Sequence, residues 1–108
     1  MKRGELYREY KPGDDRKQFR TFVVVSRQTL IDSRFLSVVC APVMTEGQGL
    51  ATQVSIGIEE GMKYESWIHC DDLRSVRKSD LTRYIGSIPP GKMRKLDYAL
   101  TVALDLSY

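Results

Sequence analysis

The strongest constraint in this chain is a single change of hydrophobic period. Up to Cys70 the apolar residues gather in five short runs, at 6–10, 22–26, 35–43, 53–58 and 66–70, that alternate or are rich in β-branched residues, the patterns of strands. Near the C-terminus the spacing changes: Met93, Leu96, Leu100, Ala103 and Leu104 recur every three or four residues and draw one stripe along a helix. Pro90 suits the first turn of that helix, where its missing N–H would have no helical partner. Phe22-Val23-Val24-Val25 reads as a strand buried on both faces, and Val54, Ile56 and Ile58 share one face of theirs. Pro42 is expected to end the third strand, because proline cannot donate to a central ladder. Lys11 through Gln18, the polar residues 27–34, the small and polar residues 45–50, and Glu59-Glu60-Gly61 read as connections. Strands this short leave exposed edges unless the sheet curls on itself. The expected fold is mainly β with a C-terminal α-helix, a small partly open barrel with the helix as its lid, in one domain over residues 1–108.

Composition removes several functions. A chain of 108 residues buries only roughly 60–65% of its unfolded surface, so any site lies on the surface or at a subunit boundary. Cys40 and Cys70 sit among apolar neighbours and supply neither a disulfide framework nor a Cys-x-x-Cys site, and His69 is the single histidine. No metal and no cofactor are therefore expected. No run approaches the ~20 apolar residues of a membrane span, and Met1-Lys2-Arg3-Gly4-Glu5 leads into a polar segment. A soluble, cytoplasmic protein with no membrane contact is expected. The balance of 17 Lys+Arg against 14 Asp+Glu, net +3, is too small to point to nucleic acid, since solvated charges account for it.

His69 and Asp71 form the most informative pair. If both lie on one strand, residues two apart share a face about 6–7 Å from each other, and an imidazole with a carboxylate can act on one substrate. Imidazole is the usual proton-transfer group near neutrality, and a carboxylate can orient it. The plainer alternative is a half-buried His with Asp71 and Asp72 opening a turn. Arg20, where the polar loop enters the Val-rich strand, offers a planar fork of donors to an anion or simply flanks the strand. Asp14 and Asp15 read as loop residues and Thr45 as a turn hydroxyl, while Tyr7, Tyr10, Tyr64 and Trp67 can stack on bases or pack.

Taken in order, several segments resemble the MazF/PemK family of toxin endoribonucleases across nearly the whole chain. Arg3-Gly4-Glu5-Leu6-Tyr7 is similar to the family's opening strand. Gly13, Asp15 and Arg20 keep the spacing of its Gly-x-Glu-Gln-x-Gly-x-Arg-Pro loop, with Arg16, Gln18 and Thr21 departing from it. Val38-Val39-Cys40-Ala41-Pro42-Val43-Met44-Thr45 is similar to its aliphatic strand ending in Pro-x-Thr. The segment from Trp67 to Val76, with Cys70-Asp71-Asp72-Leu73-Arg74-Ser75, resembles its Cys-Asp-Gln-x-Arg-Thr signature. Ile85-Gly86-Ser87-Ile88 and Met93, Leu96, Asp97, Ala99, Leu100 resemble its ending.

The resemblance implies an SH3-like barrel of the MazF/CcdB type and a homodimer. It also implies metal-independent cleavage of single-stranded mRNA at short sequences, and restraint by a cognate antitoxin with an acidic and apolar tail. The ribose 2′-OH would attack its own phosphate, leaving a 2′,3′-cyclic phosphate and a 5′-OH. By the same resemblance Arg20 would stabilise the phosphorane, Asp71 matches the acidic signature residue, His69 would exchange protons, and Asp15 is a further candidate. Thr45 reaches the site only through a one-residue bulge, since otherwise it faces the wrong way. Arg16, Lys17, Gln18 and Gln48 would meet RNA. Two alternatives stand beside this reading: a non-enzymatic, gyrase-binding toxin like the CcdB proteins, whose Trp-Gly-Ile tail has no counterpart in Leu104-Asp105-Leu106-Ser107-Tyr108, and a member that has lost catalysis.

Overall fold

Phe22, Val23 and Val24 are at most 1% exposed, as a strand with apolar clusters on both sides requires. The computed structural model describes residues 1–10 and 20–107. It comprises β1 (Glu5–Glu9), β2 (Arg20–Val24), the single-turn α1 (Gln28–Ile31), β3 (Ser37–Met44), β4 (Gln53–Ile56), β5 (Ser66–His69), β6 (Arg74–Arg77), β7 (Leu81–Ser87) and α2 (Pro90–Ala103). The strands form one antiparallel sheet in the order β4-β5-β3-β2-β1-β7, with β6 also paired to β3. Asp14, Asp15, Arg16, Lys17 and Gln18, all singled out in the sequence, lie outside the described residues.

The larger cluster joins Leu6, Val23, Ala41, Val43, Val54, Ile56 and Ile68 of the sheet to Leu96 and Ala99 of α2. Burial of this kind contributes about 1.5–3 kcal/mol per large apolar side chain, which is why the one amphipathic helix covers this face. The opposite face holds Phe22, Val24, Val38, Cys40, Val76 and Leu81 with Ile31 of α1. The sheet is not closed. Its two ends come together where the single-turn 3-10 helix Ile58–Glu60 abuts β7, and a Cβ on Gly86 would stand 2.2 Å from the Glu60 carbonyl oxygen, so only glycine permits that approach.

Several expectations are corrected. Pro42 does not end its strand. Val39 directs its amide to Ser26 Oγ and accepts from Val25 N, so odd-numbered residues of β3 face β2 and Pro42 directs its missing N–H to the opposite side. There the β6 pairing has stopped at Cys40 and the β5 pairing begins only at Val43, so no ladder bond is lost. Ile58 is 81% exposed instead of sharing a face with Val54 and Ile56, because the Glu60 carboxylate accepts from the Gly57 amide and turns the chain. Phe35 and Leu36 precede β3 and are exposed, and Leu104 at the end of the helical stripe is exposed as well. Strands β6 and β7 carry no clear alternation: β6 buries only Val76 and β7 only Leu81, so periodicity passes over them.

Candidate active site

The β2–β3 register runs Thr21 opposite Val43 and Phe22 opposite Pro42 without a bulge, so its continuation sets Arg20 across from Met44. On the other side Met44 pairs with Trp67. Arg20, Met44 and Trp67 therefore form one row across three strands. Phe22, Pro42 and His69 form the next, on the same face and away from α2. Arg74 enters the face from β6, where it pairs with Cys40. A hollow of about 220 Å³ opens here, lined by Arg20, Phe22, Pro42, Met44 and Arg74 among others. Among the described residues, neither Arg20 nor Arg74 makes an ion pair, so two guanidinium forks are available to an anion. From strand spacings, Cα of His69 stands roughly 12 Å from Cα of Arg20, within joint reach of one phosphodiester link.

Asp71 does not share a strand with His69. The strand ends at His69 and Cys70–Asp72 is a 3-10 turn, so the two-apart geometry that would place both groups on one face is absent. Asp71 Oδ2 instead accepts from Thr52 Oγ1 at 2.7 Å. Among the described residues no hydrogen bond or ion pair joins Asp71 to His69. The imidazole meets the 45–50 loop, with Nε2 2.7 Å from the Glu46 carbonyl. A carbonyl only accepts, so Nε2 carries a proton and Nδ1 is the lone-pair nitrogen of the neutral ring. Thr45 is exposed just beyond β3, and the unbroken register supplies no bulge to bring it beside Arg20. Gln48 accepts at its side chain from Gln53 Nε2 and donates its amide to Gln53 Oε1, both at 2.8 Å, which anchors the same loop to β4.

Gly47 lies flat on the indole of Trp67, where an added Cβ would stand 2.3 Å from Cγ. Gly47→Ala is accordingly expected to lift the loop, release His69 from Glu46 and expose the only tryptophan. The expected readouts are a red shift in fluorescence and a change of at least about tenfold in whatever reaction His69 serves. Unchanged emission together with an unchanged rate would contradict this placement.

Sequence reasoning quoted Arg74 only as part of a motif and gave it no role. Periodicity passes over β6, and the convergence of Arg74 with Arg20 depends on β3 pairing with both β2 and β6, which no local pattern in the sequence signals. Tyr7 is a packing residue: its ring meets Tyr84 edge-on at 5.8 Å, and burial together with Glu5 pushes its hydroxyl up to about 12. Tyr10 and Tyr64 are exposed. Both cysteines are buried, and desolvation raises Cys40 to about 12 and Cys70 to about 11, so neither is a thiolate nucleophile. Among the described residues no three His, Cys, Asp or Glu side chains converge as a metal site, and no helix is long and apolar enough to cross a membrane.

The antiparallel sheet is thus covered on one face by the C-terminal helix and carries an arginine-lined hollow on the other. Residues 2–104 match the family described as PemK-like, MazF-like toxin of type II toxin-antitoxin system. The Endoribonuclease MazF3 of Mycobacterium tuberculosis is 28% identical over 86 residues, spanning 80% of this chain and 84% of that protein. Among solved structures, the Mycobacterium tuberculosis toxin MazF-mt6 aligns with a TM-score of 0.83 at 24% identity, covering 96% of this chain and 99% of that one. A mycobacterial endoribonuclease in complex with its cognate antitoxin gives 0.82 at 24% identity, covering 98% and 96%. A MazE–MazF complex from Deinococcus radiodurans gives 0.76 at 18%, covering 99% and 97%. The chain belongs to the PemK-like, MazF-like toxin family of type II toxin–antitoxin systems.

Proposed function

We propose that this protein is a cytoplasmic endoribonuclease toxin that cleaves single-stranded RNA without a metal and is restrained by a cognate antitoxin. The observation that carries the reading is the pair of Arg20 and Arg74 around one hollow, on the face that also presents His69. Two forks around one phosphate stabilise the charge that grows on its non-bridging oxygens as the phosphorane forms. The ribose 2′-oxygen bonds to phosphorus and gives up its proton to a base, and the P–O5′ bond breaks as the departing oxygen takes a proton. A 2′,3′-cyclic phosphate and a 5′-OH result, with no net consumption of water. His69 is the side chain on this face suited to carry one of those protons, once substrate displaces the Glu46 carbonyl or engages Nδ1. Asp71, engaged by Thr52, acts as a positioning residue for the segment leading into β4. The name of the Mycobacterium tuberculosis relative, an endoribonuclease, supports the same reading.

The active species is a homodimer. A groove of about 550 Å³ runs past Leu30, Phe35, Val39, Leu100, Leu104 and Leu106, where the sheet end meets α2, and several of these side chains are strongly exposed. A contiguous apolar patch of this kind calls for a partner, and a second copy of the same face is self-complementary. The test is incubation of the antitoxin-free protein with a long defined RNA in EDTA, with the mass of the same sample measured by light scattering. The expected result is discrete cuts bearing cyclic phosphate ends, made by a dimer. Intact RNA after long incubation with an authentic dimer would instead favour a member that has lost catalysis.

A further inference from the structure

Trp67 is the only tryptophan, and it belongs to neither apolar cluster. It sits half-buried on the face away from α2, paired with Met44 of β3 on one side and with Ser55 of β4 on the other. An indole offers a broad, flat apolar surface, and outside the core that surface calls for a flat partner. Its partner is the 45–50 loop. Gly47 packs so closely that an added Cβ would stand 2.3 to 2.5 Å from Cγ, Cδ1 and Cδ2 of the ring. The contact admits a group no thicker than bare backbone, and in nucleic acid the group of that thickness is a base.

The residue before Gly47 meets the neighbouring imidazole. The Glu46 carbonyl accepts from His69 Nε2 at 2.7 Å, so a backbone oxygen lies at the imidazole while the next residue lies on the indole. A nucleotide presents the same two groups side by side, a sugar or phosphate oxygen and a flat base. Continuing the β2–β3 register, Trp67 stands two strand spacings, about 10 Å, from Arg20 in the row through Met44. A base on the indole therefore lies within one nucleotide of a phosphate held by Arg20 and Arg74, with the exposed Met44 as an apolar floor between them. The loop itself is tied down by exposed hydrogen bonds, from Gln48 to Gln53 and from His69 to Glu46, which water or RNA can replace at little net cost.

We propose that Trp67 is a base-stacking platform that contributes to sequence selection: a nucleobase beside the scissile phosphate takes the place of Gly47 on the indole, and the 45–50 loop withdraws. This rests on the reading of the face as a site for single-stranded RNA. Single-stranded bases splay out to stack on aromatic side chains, and the larger ring system of a purine is favoured there.

The test uses the full chain and strands that attack by a 2′-hydroxyl cannot cut: a random-sequence pool of short single-stranded DNA, oligodeoxyadenylate, oligothymidylate, and an abasic deoxyribose-phosphate chain of the same length. Binding is followed by the anisotropy of a label on each strand and by Trp67 emission. The strands share one backbone charge, so stacking separates them. The pool is expected to quench Trp67 saturably, oligodeoxyadenylate to do so at lower concentration than oligothymidylate, and the abasic chain to bind without quenching. Trp67→Leu, which keeps an apolar side chain, should weaken binding of the pool by about tenfold or more and leave the abasic chain unchanged, with Trp67→Phe recovering most of the loss. Gly47→Ala, which lifts the competing loop, should bind the pool more tightly. A pool that binds without quenching or no better than the abasic chain, a preference for oligothymidylate, unchanged binding by Trp67→Leu, or weaker binding by Gly47→Ala would overturn it. On the long defined RNA, cutting without quenching would remove the platform and keep the catalytic reading, whereas quenching by RNA that stays intact would remove the catalytic reading and keep the platform.

Discussion

Arg20→Ala and Arg74→Ala are each expected to slow RNA cleavage by about a hundredfold or more, the usual cost of removing one donor aimed at charge that develops in the transition state. The loss should fall on the single-turnover rate more than on RNA affinity, because each guanidinium is worth most once the phosphorane carries extra charge. Arg→Lys at either position should recover only part of the rate, since an ammonium keeps the charge but not the planar fork. If both forks hold one phosphate, the double variant should lose less than the product of the single losses. Both residues are exposed and belong to neither apolar cluster, so circular dichroism and melting should be unchanged. Full activity in both variants would remove the hollow from the account.

The second large effect concerns folding. Glu60 is fully buried at its side chain and takes hydrogen bonds from the Gly57 amide at 2.9 Å and Lys92 Nζ at 2.6 Å. Burial alone would raise the Glu60 carboxyl, but the Lys92 and Gly57 hydrogen bonds and the Lys92 charge outweigh it, and the group is lowered below the ordinary glutamate range. Its other oxygen has no partner, so the carboxylate relies on these two donors. Lys92→Met therefore strands a buried charge, and a loss of about 3 kcal/mol is expected, at the lower end of such cases because Lys92 is 30% exposed. For a domain of this size that lowers Tm by roughly 10–20 °C.

The pH dependence gives an internal check. A carboxyl with a lowered folded value stabilises the native protein above the ordinary glutamate pKa of about 4.3, and that contribution disappears as pH falls through the folded value. In Lys92→Met only burial and Gly57 remain, so protonation near pH 4 relieves the variant while it costs the parent protein. The gap in Tm between them should narrow from pH 7 to pH 4. A constant gap would show that Lys92 acts through packing rather than charge.

Residues whose neighbours in sequence are also their neighbours in space were legible without coordinates. Phe22-Val23-Val24 announces a central strand, and the 93–104 stripe announces the covering helix. The resemblance to MazF/PemK toxins, carried by the order of weak motifs, agrees with the family match. What stayed hidden depends on long-range register. Arg74 meets Arg20 only because β3 changes partner at Pro42, from β6 to β5, and no local pattern encodes that exchange. For Asp71 the sequence leaves a strand and a turn both open, because one extra strand residue and one turn residue look alike in it; the chain takes the turn, which directs the carboxylate to Thr52. Glu60 read as an ordinary turn residue because its partner, Lys92, lies 32 positions away.

Attack by the substrate's own 2′-hydroxyl is the step proposed for this face. It is tested most directly with an RNA oligonucleotide containing a mapped cut site, prepared with ribose or with 2′-deoxyribose at the scissile nucleotide and incubated with the protein in EDTA under single-turnover conditions. The all-ribose strand is expected to yield a 2′,3′-cyclic phosphate and a 5′-OH, and the single deoxy substitution to abolish the cut. Cleavage of the deoxy strand, or a 5′-phosphate at the cut, would contradict it.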